Sequence, residues 1–119
     1  MKIALKKILE MKPVIEKLIQ KDIDVLVAYD MKKIVDAVSK ELEVYSATRK
    51  KLFDKYGEEN KETKETAIPK EKVEAFRKDM EALLNKEVKL ETPKIKLSKL
   101  VGVKLSTADV IIIDRLIER

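Results

Sequence analysis

The sequence contains no cysteine and no histidine, and these two absences remove much of the chemistry that proteins use for catalysis. The chain has no thiol nucleophile, no disulfide, no Cys/His zinc site and no imidazole for acid–base work. It also has no tryptophan, three tyrosines and two phenylalanines. Because aromatic side chains anchor many bases, sugars and drug-like ligands, their scarcity argues against a small-molecule site.

Glycine occurs only at Gly57 and Gly102, so the chain has no glycine-rich loop for binding phosphate. There is no run of 18 uncharged apolar residues of the kind that crosses a membrane. Residues 1–19 mix Lys and Glu with apolar residues, unlike the continuous apolar core of a signal peptide. We therefore expect a soluble protein of the cytoplasm that does not associate with membranes.

Charged residues are abundant and make up 41% of the sequence, with Lys and Glu interleaved and a net charge of +5. Such runs are typical of solvated helix faces, and a small basic excess permits an acidic partner without requiring one. The length of 119 residues indicates a single domain spanning residues 1–119.

The longest periodic stretch runs from Asp24 to Tyr56, and the rest of the chain is organised around it. Its apolar side chains recur at intervals of three or four, interrupted only around Arg49: Val27, Met31, Ile34, Val38, Leu42, Tyr45, Leu52 and Tyr56. The spacing predicts one amphipathic α-helix, roughly 50 Å long. We expect Asp22 or Asp24 to cap it, and Gly57 to end it in a left-handed conformation.

The first segment, from Lys2 to Gln20, has a broad apolar stripe that predicts another amphipathic helix. Pro13 removes a backbone donor and clashes with the preceding turn, so this helix is expected to kink or restart near Lys12. A short connection predicts an antiparallel helical hairpin over residues 1–56. The β-branched run at residues 23–27 would also suit a strand, but the helical period continues beyond it.

Residues 57–69 are expected to be a mobile charged loop, because they are too polar to offset the entropy of ordering. An ordered binding loop is the functional alternative. Pro69 opens a third predicted helix over residues 70–86. Its apolar face should cover the distal half of the long helix and consists of Val73, Phe76, Met80, Leu83 and Leu84.

Beyond the third helix the period changes to two, which predicts an extended β segment over residues 87–105. The alternating apolar residues are Val88, Leu90, Ile95 and Leu97. Pro93 cannot donate to a ladder, so it marks an edge, a bend or a break between two short strands. Because an isolated two-stranded ribbon is marginal in water, it must lie against the helices or pair with another copy of the chain. The sequence leaves both arrangements open.

Ser106 and Asp109 form a capping signal for a C-terminal helix over residues 106–119. Propensity alone favours a strand for Val110–Ile113, whereas the cap and the spacing of the apolar residues favour a helix. Since this helix is apolar nearly all round, we expect it to be buried in the domain or in an oligomer contact.

No set of residues forms a recognisable catalytic or metal-binding motif. Ser39–Lys40 and Ser98–Lys99 are sequence neighbours whose side chains point apart, so they do not make Ser–Lys pairs. The acidic residues lie on different helix faces or beside lysines at pairing distance. We therefore predict no catalytic residue, no metal site, no cofactor and no enzymatic activity.

Nucleic-acid binding remains an alternative because the long helix carries many basic residues. They could contact phosphates without reading bases: Lys32, Lys33, Lys40, Arg49, Lys50, Lys51 and Lys55. Against this, the sequence offers no aromatic platform for single strands and no recognition-helix motif.

The long helix ends A-T-R-K-K-L-F-D-K-Y-G (residues 47–57), and a charged loop follows. Next come A-F-R-K-D-M-E-A-L-L-N-K-E-V (75–88), P-K-I-K-L (93–97) and L-S-T-A-D-V (105–110). This order resembles a group of small, uncharacterised bacteriophage and prophage proteins with the layout R-x-K-L…K-Y-G, charged loop, E-L-L…E-V, I-x-L and L-S-x-x-D, over most of the chain from about Asp24 onward. These are capping and packing signals. The resemblance implies a phage-encoded accessory, assembly or host-interaction protein in the host cytoplasm, and it implies no catalytic residues.

Together these patterns predict a mainly α fold with a minor β part. The N-terminal helix of the hairpin and the third helix both pack on the one long helix. A short β ribbon and a C-terminal helix complete the domain. We expect a protein–protein interaction module, such as an adaptor, assembly factor or inhibitor, that binds another protein or forms a homo-oligomer. The predicted interface is the part of the apolar stripe on the long helix that stays exposed once the core is filled. Its predicted residues are Leu42, Tyr45, Leu52 and Phe53.

Overall fold

The computed structural model describes residues 1–59 and 61–118, within which the chain forms four α-helices and three small strand pairs. The helices are α1 (Leu5–Leu18), α2 (Val25–Tyr56), α3 (Val73–Leu84) and α4 (Thr107–Ile113). The strands are β1 (Lys2–Ala4), β2 (Glu58–Glu59), β3 (Thr66–Ala67), β4 (Glu87–Lys89), β5 (Ile95–Lys96) and β6 (Ile117–Glu118). The predicted fold class, mainly α with a minor β part, is confirmed.

The hydrophobic core is built around α1, which contacts both α2 and α4. The buried side chains of α1 are Leu5, Ile8, Met11, Val14, Ile15 and Leu18. The first half of α2 adds Val27, Met31, Ile34 and Val38. The rest of the core comes from the two ends of the chain: Ile3, Leu90, Ile95, Leu100, Ile113 and Leu116. All of these are aliphatic residues or methionine, so the aromatic side chains lie outside the buried core.

Helix α1 runs through Pro13 without interruption. The predicted restart near Lys12 is therefore wrong. Pro13 is exposed, while Met11 and Val14 on either side of it are buried. Because flanking burial holds both turns in place, the loss of one backbone donor does not end the helix. The helix also begins later than predicted, since the residues before Leu5 form β1.

Helix α2 has the predicted form of a single long rod. The Asp24 carboxylate accepts a hydrogen bond from the Leu26 N–H at 2.8 Å, which confirms the predicted cap. At 1.5 Å per residue the helix is about 48 Å long, against a longest molecular dimension of 55 Å. Lys12 and Leu42 line one pocket with Ile19 and Val35, as expected if α1 runs antiparallel to α2.

The molecule divides into two regions that α2 joins. The base comprises residues 1–38 and 87–118 and contains all the buried apolar side chains. The arm comprises residues 39–86, and none of its described residues is buried. There the Phe76 ring of α3 meets Phe53 and Tyr56 edge to face, at centroid distances of 6.1 and 6.2 Å. The Tyr56 hydroxyl donates to the Asp79 carboxylate at 2.6 Å.

Gly57 ends α2 as predicted, but not in a left-handed conformation. Its φ is −79° and its ψ is 150°, which is extended backbone. Glycine is needed for space instead, because a Cβ at this position would lie 2.5 Å from the Phe53 carbonyl oxygen and 2.7 Å from Thr66 Cγ2. The close contact with Thr66 arises because the chain returns along β3 directly beside the end of α2.

The predicted charged loop at residues 57–69 contains the antiparallel pair β2–β3, with Glu58 opposite Ala67. Asn60 lies outside the described residues. The Lys72 ammonium lies 3.2 Å from the Glu58 carboxylate and links the hairpin to the start of α3. The mobility of this segment stays a prediction. The third helix begins with a 3₁₀ turn at Lys70–Lys72 and continues as α3.

The predicted β ribbon is wrong in its pairing, because β4 and β5 do not pair with each other. Strand β4 pairs antiparallel with β1, with Val88 opposite Ile3. Strand β5 pairs in parallel with β6, with Ile95 opposite Ile117. Leu97 belongs to a 3₁₀ turn (Leu97–Leu100) rather than to a strand. The two extended segments therefore pair within the chain, β4 with the N-terminal strand and β5 with the C-terminal strand.

The C-terminal helix is shorter than predicted and is buried on one face only. Helix α4 ends at Ile113, a 3₁₀ turn follows at Asp114–Leu116, and β6 comes next; Arg119 lies outside the described residues. Ile113 and Leu116 are buried, but Ile111 is 70% exposed. The predicted cap is confirmed, since the Ser106 hydroxyl accepts from the Asp109 N–H at 3.1 Å. Within the chain this helix packs mainly on α1, so one face is left exposed, and burial of that face in an oligomer contact stays a prediction.

Among the described residues, no helix combines the length and the apolar content required to cross a lipid bilayer.

Candidate functional site: a groove along the long helix

One side of α2 borders a continuous surface groove. Four neighbouring pockets, of about 410, 180, 360 and 440 Å³, follow one another from the α1–α2 connection to β3. Each pocket shares lining residues with the next, namely Ile19 and Val35, then Leu42, then Ser46. This surface, the α2 groove, follows residues 28–54 of the helix for about 39 Å.

The α2 side of the groove has a regular seam of eight residues at alternating intervals of four and three. They are Ala28, Lys32, Val35, Ser39, Leu42, Ser46, Arg49 and Phe53. An average spacing of 3.5 residues is the one at which a helix presents a constant face to another helix. Ala28, Ser39 and Ser46 are small and exposed, so they leave room between the larger half-buried side chains.

Helix α1 forms the opposite wall of the groove over its proximal half. Lys12, Ile15, Glu16 and Ile19 line it there, and Ile19 is 49% exposed. Lys12 and Glu16 form an ion pair at 4.0 Å, with both side chains more than half exposed. An exposed pair of this kind contributes little to stability. The wall is therefore apolar deep in the groove and charged along its outer edge.

An apolar tip lies next to the proximal end of the groove. Val25, Leu26 and Tyr29 are 78%, 64% and 62% exposed, in the first turns of α2. The Lys33 ammonium lies 4.9 Å from the centre of the Tyr29 ring, in a cation–π contact. Neither the burial of the core nor the capping of α2 requires apolar residues at these positions.

The four predicted interface residues are divided between the groove and the interior of the molecule. Leu42 and Phe53 line the α2 groove. Tyr45 is half-buried against the core cluster, and Leu52 is half-buried in the arm. The structure therefore brings only Leu42 and Phe53 together on one surface.

The seven predicted phosphate contacts are all exposed but lie on different sides of α2. Lys32, Arg49 and Lys50 line the groove, whereas the other four follow the opposite side of the helix. Lys32 also donates to Asp36 at 2.7 Å. Lys55 lies 4.0 Å from the Asp79 carboxylate. They do not form one basic surface.

Asp109 is the carboxylate whose ionisation the fold affects most clearly. The Lys17 ammonium donates to its two oxygens at 3.5 and 3.2 Å. This hydrogen bond lowers the pKa of Asp109 below its usual value, and the Ser106 contacts act in the same direction, although burial opposes them. The contact ties α4 to α1 and lies in none of the pockets that form the α2 groove. Its role is structural.

The groove contains no arrangement that we can assign to bond chemistry. Within residues 1–59 and 61–118, no three acidic side chains converge to hold a metal ion. The charged groups at the rim are exposed, and in part paired with one another. The floor of the groove is apolar in its proximal half, and beyond it Leu42 and Phe53 are apolar positions among polar and charged residues.

The small residues of the seam are not among the predicted site residues, because the apolar period of α2 marks the residues that face the core. The seven-residue repeats Ala28–Val35–Leu42 and Ser39–Ser46 are visible in the sequence and could have identified a second helix-binding face. Whether that face was open could not be read from the repeats, since this depends on where α1 and α3 pack.

Comparison of the chain with models of protein families, with curated proteins and with solved structures found no match in any of the three.

Proposed function

We propose that this protein is a non-catalytic protein–protein interaction module whose α2 groove binds a helix of a partner. The observation that carries the proposal is the seam of eight α2 residues beside the α1 wall, open over about 39 Å. A groove with an apolar floor is a recurrent receptor for an amphipathic helix, which inserts side chains at positions i, i+3, i+4 and i+7.

The small residues favour a helix as the occupant over an extended peptide. Ser39 and Ser46 are seven residues apart, two turns along the same side of α2, and flank Leu42. Small side chains let two helix backbones approach closely, and the larger neighbours then enclose the contact. An extended peptide would need free backbone donors and acceptors, which the side of an α-helix does not supply.

The resemblance to phage and prophage proteins gives this proposal a biological setting. In that setting the protein acts in the host cytoplasm as an accessory, assembly or host-factor-binding protein, including as an inhibitor. Each of these roles requires a binding surface and no bond chemistry. The α2 groove is a candidate for that binding surface.

Selection of helical peptides from a displayed library tests the groove directly. Peptides enriched on the wild-type protein should carry apolar residues at helical spacing. Replacement of the floor residue, Leu42→Lys, should weaken their binding at least about tenfold, since it places a charge in the apolar contact. The matched control is Val44→Lys on the same helix, because Val44 is 61% exposed and lines none of the pockets described above.

Two results would contradict the proposal. One is the absence of any enriched helical pattern. The other is a set of binders that tolerate Leu42→Lys but lose affinity with Val44→Lys.

A second candidate function is phosphate-driven binding of DNA or RNA, and one observation favours it. The side of α2 away from the groove forms a basic strip with no acidic residue: Leu26, Tyr29, Lys33, Ala37, Lys40, Val44, Ala47, Lys51 and Lys55. Its four lysines should give a log–log salt dependence of binding of about −3 to −4. Fluorescence anisotropy with a labelled duplex, on the wild type and on Lys40→Glu, measures this slope. An affinity that changes neither with salt concentration nor with Lys40→Glu would exclude this candidate function.

A further inference from the structure

Five charged residues follow the rim of the α2 groove on the α2 side and form what we call the charge strip: Lys32, Asp36, Glu43, Lys50 and Asp54. Successive members are separated by 4, 7, 7 and 4 residues, so they stay on one side of the helix. All five are exposed. The Lys32 and Asp36 side chains are 72% and 60% exposed and pair with each other at 2.7 Å.

The spacing of the charge strip is symmetric about Glu43, and the charges on its two sides are opposite in sign. Lys32 and Asp54 each lie eleven residues from Glu43, and Asp36 and Lys50 each lie seven residues from it. If two copies of α2 cross antiparallel at Glu43, every lysine of the strip faces an aspartate of the other copy. We infer that a second copy of this chain binds along the charge strip, with the two α2 helices antiparallel.

The fold leaves room for this arrangement along the whole strip. Helix α1 packs on the face of α2 that carries Val27 and Val38, and α3 contacts Phe53 and Tyr56. Both helices therefore lie away from the strip. Thr66 of β3 borders its distal end, where it lines a pocket with Lys50 and Asp54, and all five strip residues stay exposed. The distal half of one α2 then lies in the proximal half of the other groove. That places Phe53 near Val35 of the second copy and adds apolar contact to the ion pairs.

Other occupants fit the strip less well. A parallel copy would place each charge opposite its own kind, which is destabilising. A uniformly acidic or basic partner would meet both signs, since the strip holds two lysines and three carboxylates. Only an antiparallel copy reverses the order of charges so that both lysines are matched.

The expected dimer is weak and sensitive to salt. A contact about 33 Å long and about 10 Å wide buries roughly 330 Å² per copy, about two-fifths of a standard interface. Its ion pairs lie at the surface, where salt screens them. The two Glu43 side chains meet at the two-fold axis and oppose association. The dimer should therefore form at high protein concentration and dissociate as salt is added.

This inference rests on the proposed interaction role of the α2 groove, and sedimentation equilibrium tests it separately. At low salt the wild-type molar mass should rise with concentration from 13.7 kDa towards twice that value. Lys32→Glu and Asp54→Lys should each weaken association at least about tenfold, because two matched contacts become repulsive in each case. Mixing these two variants should restore the dimer, since each lysine of the mixed pair again faces an acid.

Two controls make the result specific to the strip. Lys51→Glu makes the same charge change on the other side of α2. Alone it should leave association unchanged, and mixed with Asp54→Lys it should not restore the dimer as Lys32→Glu does. Glu43→Gln removes the like-charge contact at the axis and should strengthen the wild-type dimer about twofold to fivefold. Far-UV circular dichroism checks that every variant keeps its helical content.

The inference fails if the wild type stays at 13.7 kDa up to about 1 mM at low salt. It also fails if the mixed variants remain monomeric, or if Glu43→Gln weakens a dimer that does form. A monomer that still binds helical peptides through Leu42 would overturn this inference and leave the proposed function standing.

Discussion

The base and the arm share the same long helix, yet different interactions hold them together. In the base, α2 buries Val27, Met31, Ile34 and Val38 against α1. In the arm, the same helix makes half-buried edge contacts with Phe76, and Tyr56 and Lys55 make a hydrogen bond and a largely exposed ion pair with Asp79. Burial of apolar area contributes far more than exposed pairs do. The base should therefore set the global stability, while the arm opens at lower cost.

The largest expected effect comes from removing a side chain at the centre of the base. Ile8 is fully buried, with 0% of its surface exposed. Ile8→Ala should lower the free energy of unfolding by about 3 to 4 kcal/mol, because it loses burial and leaves a cavity that α1 and α2 cannot close. Urea unfolding followed by circular dichroism measures this. A loss below about 1 kcal/mol would contradict the assignment of α1 as the centre of the core.

Gly57→Ala tests the junction between the two regions. Its backbone conformation suits alanine, but the added Cβ would lie 2.5 Å from the Phe53 carbonyl oxygen. We expect a loss of about 1 to 3 kcal/mol from this overpacking, measured by thermal unfolding. The matched control is Gly102→Ala, where nothing lies within 4 Å but φ is +87°, so only backbone strain of about 1 kcal/mol is expected. The steric account is contradicted if Gly57→Ala and Gly102→Ala lose equal stability and if the loss at Gly57 stays the same when Thr66 is also changed to Ser.

Phe76→Ala should separate the stability of the arm from that of the base. It removes the ring that contacts both Phe53 and Tyr56. Because this ring is only half-buried, we expect a loss of about 1 to 2 kcal/mol, below the range for a buried phenylalanine. Hydrogen exchange should become faster in α3 and the distal half of α2, while the α1 amides keep their protection. Uniformly faster exchange would show that the two regions unfold together.

The smallest expected effect is the pH dependence that Asp109 gives to the base. Lys17 lowers the pKa of Asp109 in the folded state. The carboxylate therefore stabilises the fold fully above its unfolded pKa, and this contribution disappears as the pH falls through the lower folded pKa. Urea midpoints between pH 6 and roughly 2 should fall less steeply for Asp109→Asn than for the wild type. Parallel curves for the two proteins would contradict this role.

Much of the fold could be predicted because its helices carry their own local signals. Asp24 and Ser106 cap the helices where the sequence places them, and the apolar period of α2 runs as expected. The errors concern partners that are distant in sequence. Val88 pairs with Ile3 across the length of the chain, and no local period specifies such a contact. Gly57 shows the same limit, since its requirement for glycine depends on where Thr66 returns.

The groove was predicted only in part, for a related reason. Leu42 and Phe53 were identified because they are apolar and lie on the long helix. Ser39 and Ser46 were not, because small polar residues signal nothing until the neighbouring helix is seen to leave them uncovered. The distinction between a covered and an open face of α2 depends on the packing of α1 and α3, which the spacing of residues along α2 does not contain.

The placement of the aromatic rings has a practical consequence for spectroscopy. Every tyrosine and phenylalanine lies outside the aliphatic core, and Tyr45, Phe53, Tyr56 and Phe76 all belong to the arm. Near-ultraviolet dichroism will therefore report mainly on the distal half of the molecule, whereas the amide signal in the far ultraviolet averages over all the helices. With no tryptophan to dominate the spectrum, the protein carries a built-in optical label for one of its two regions.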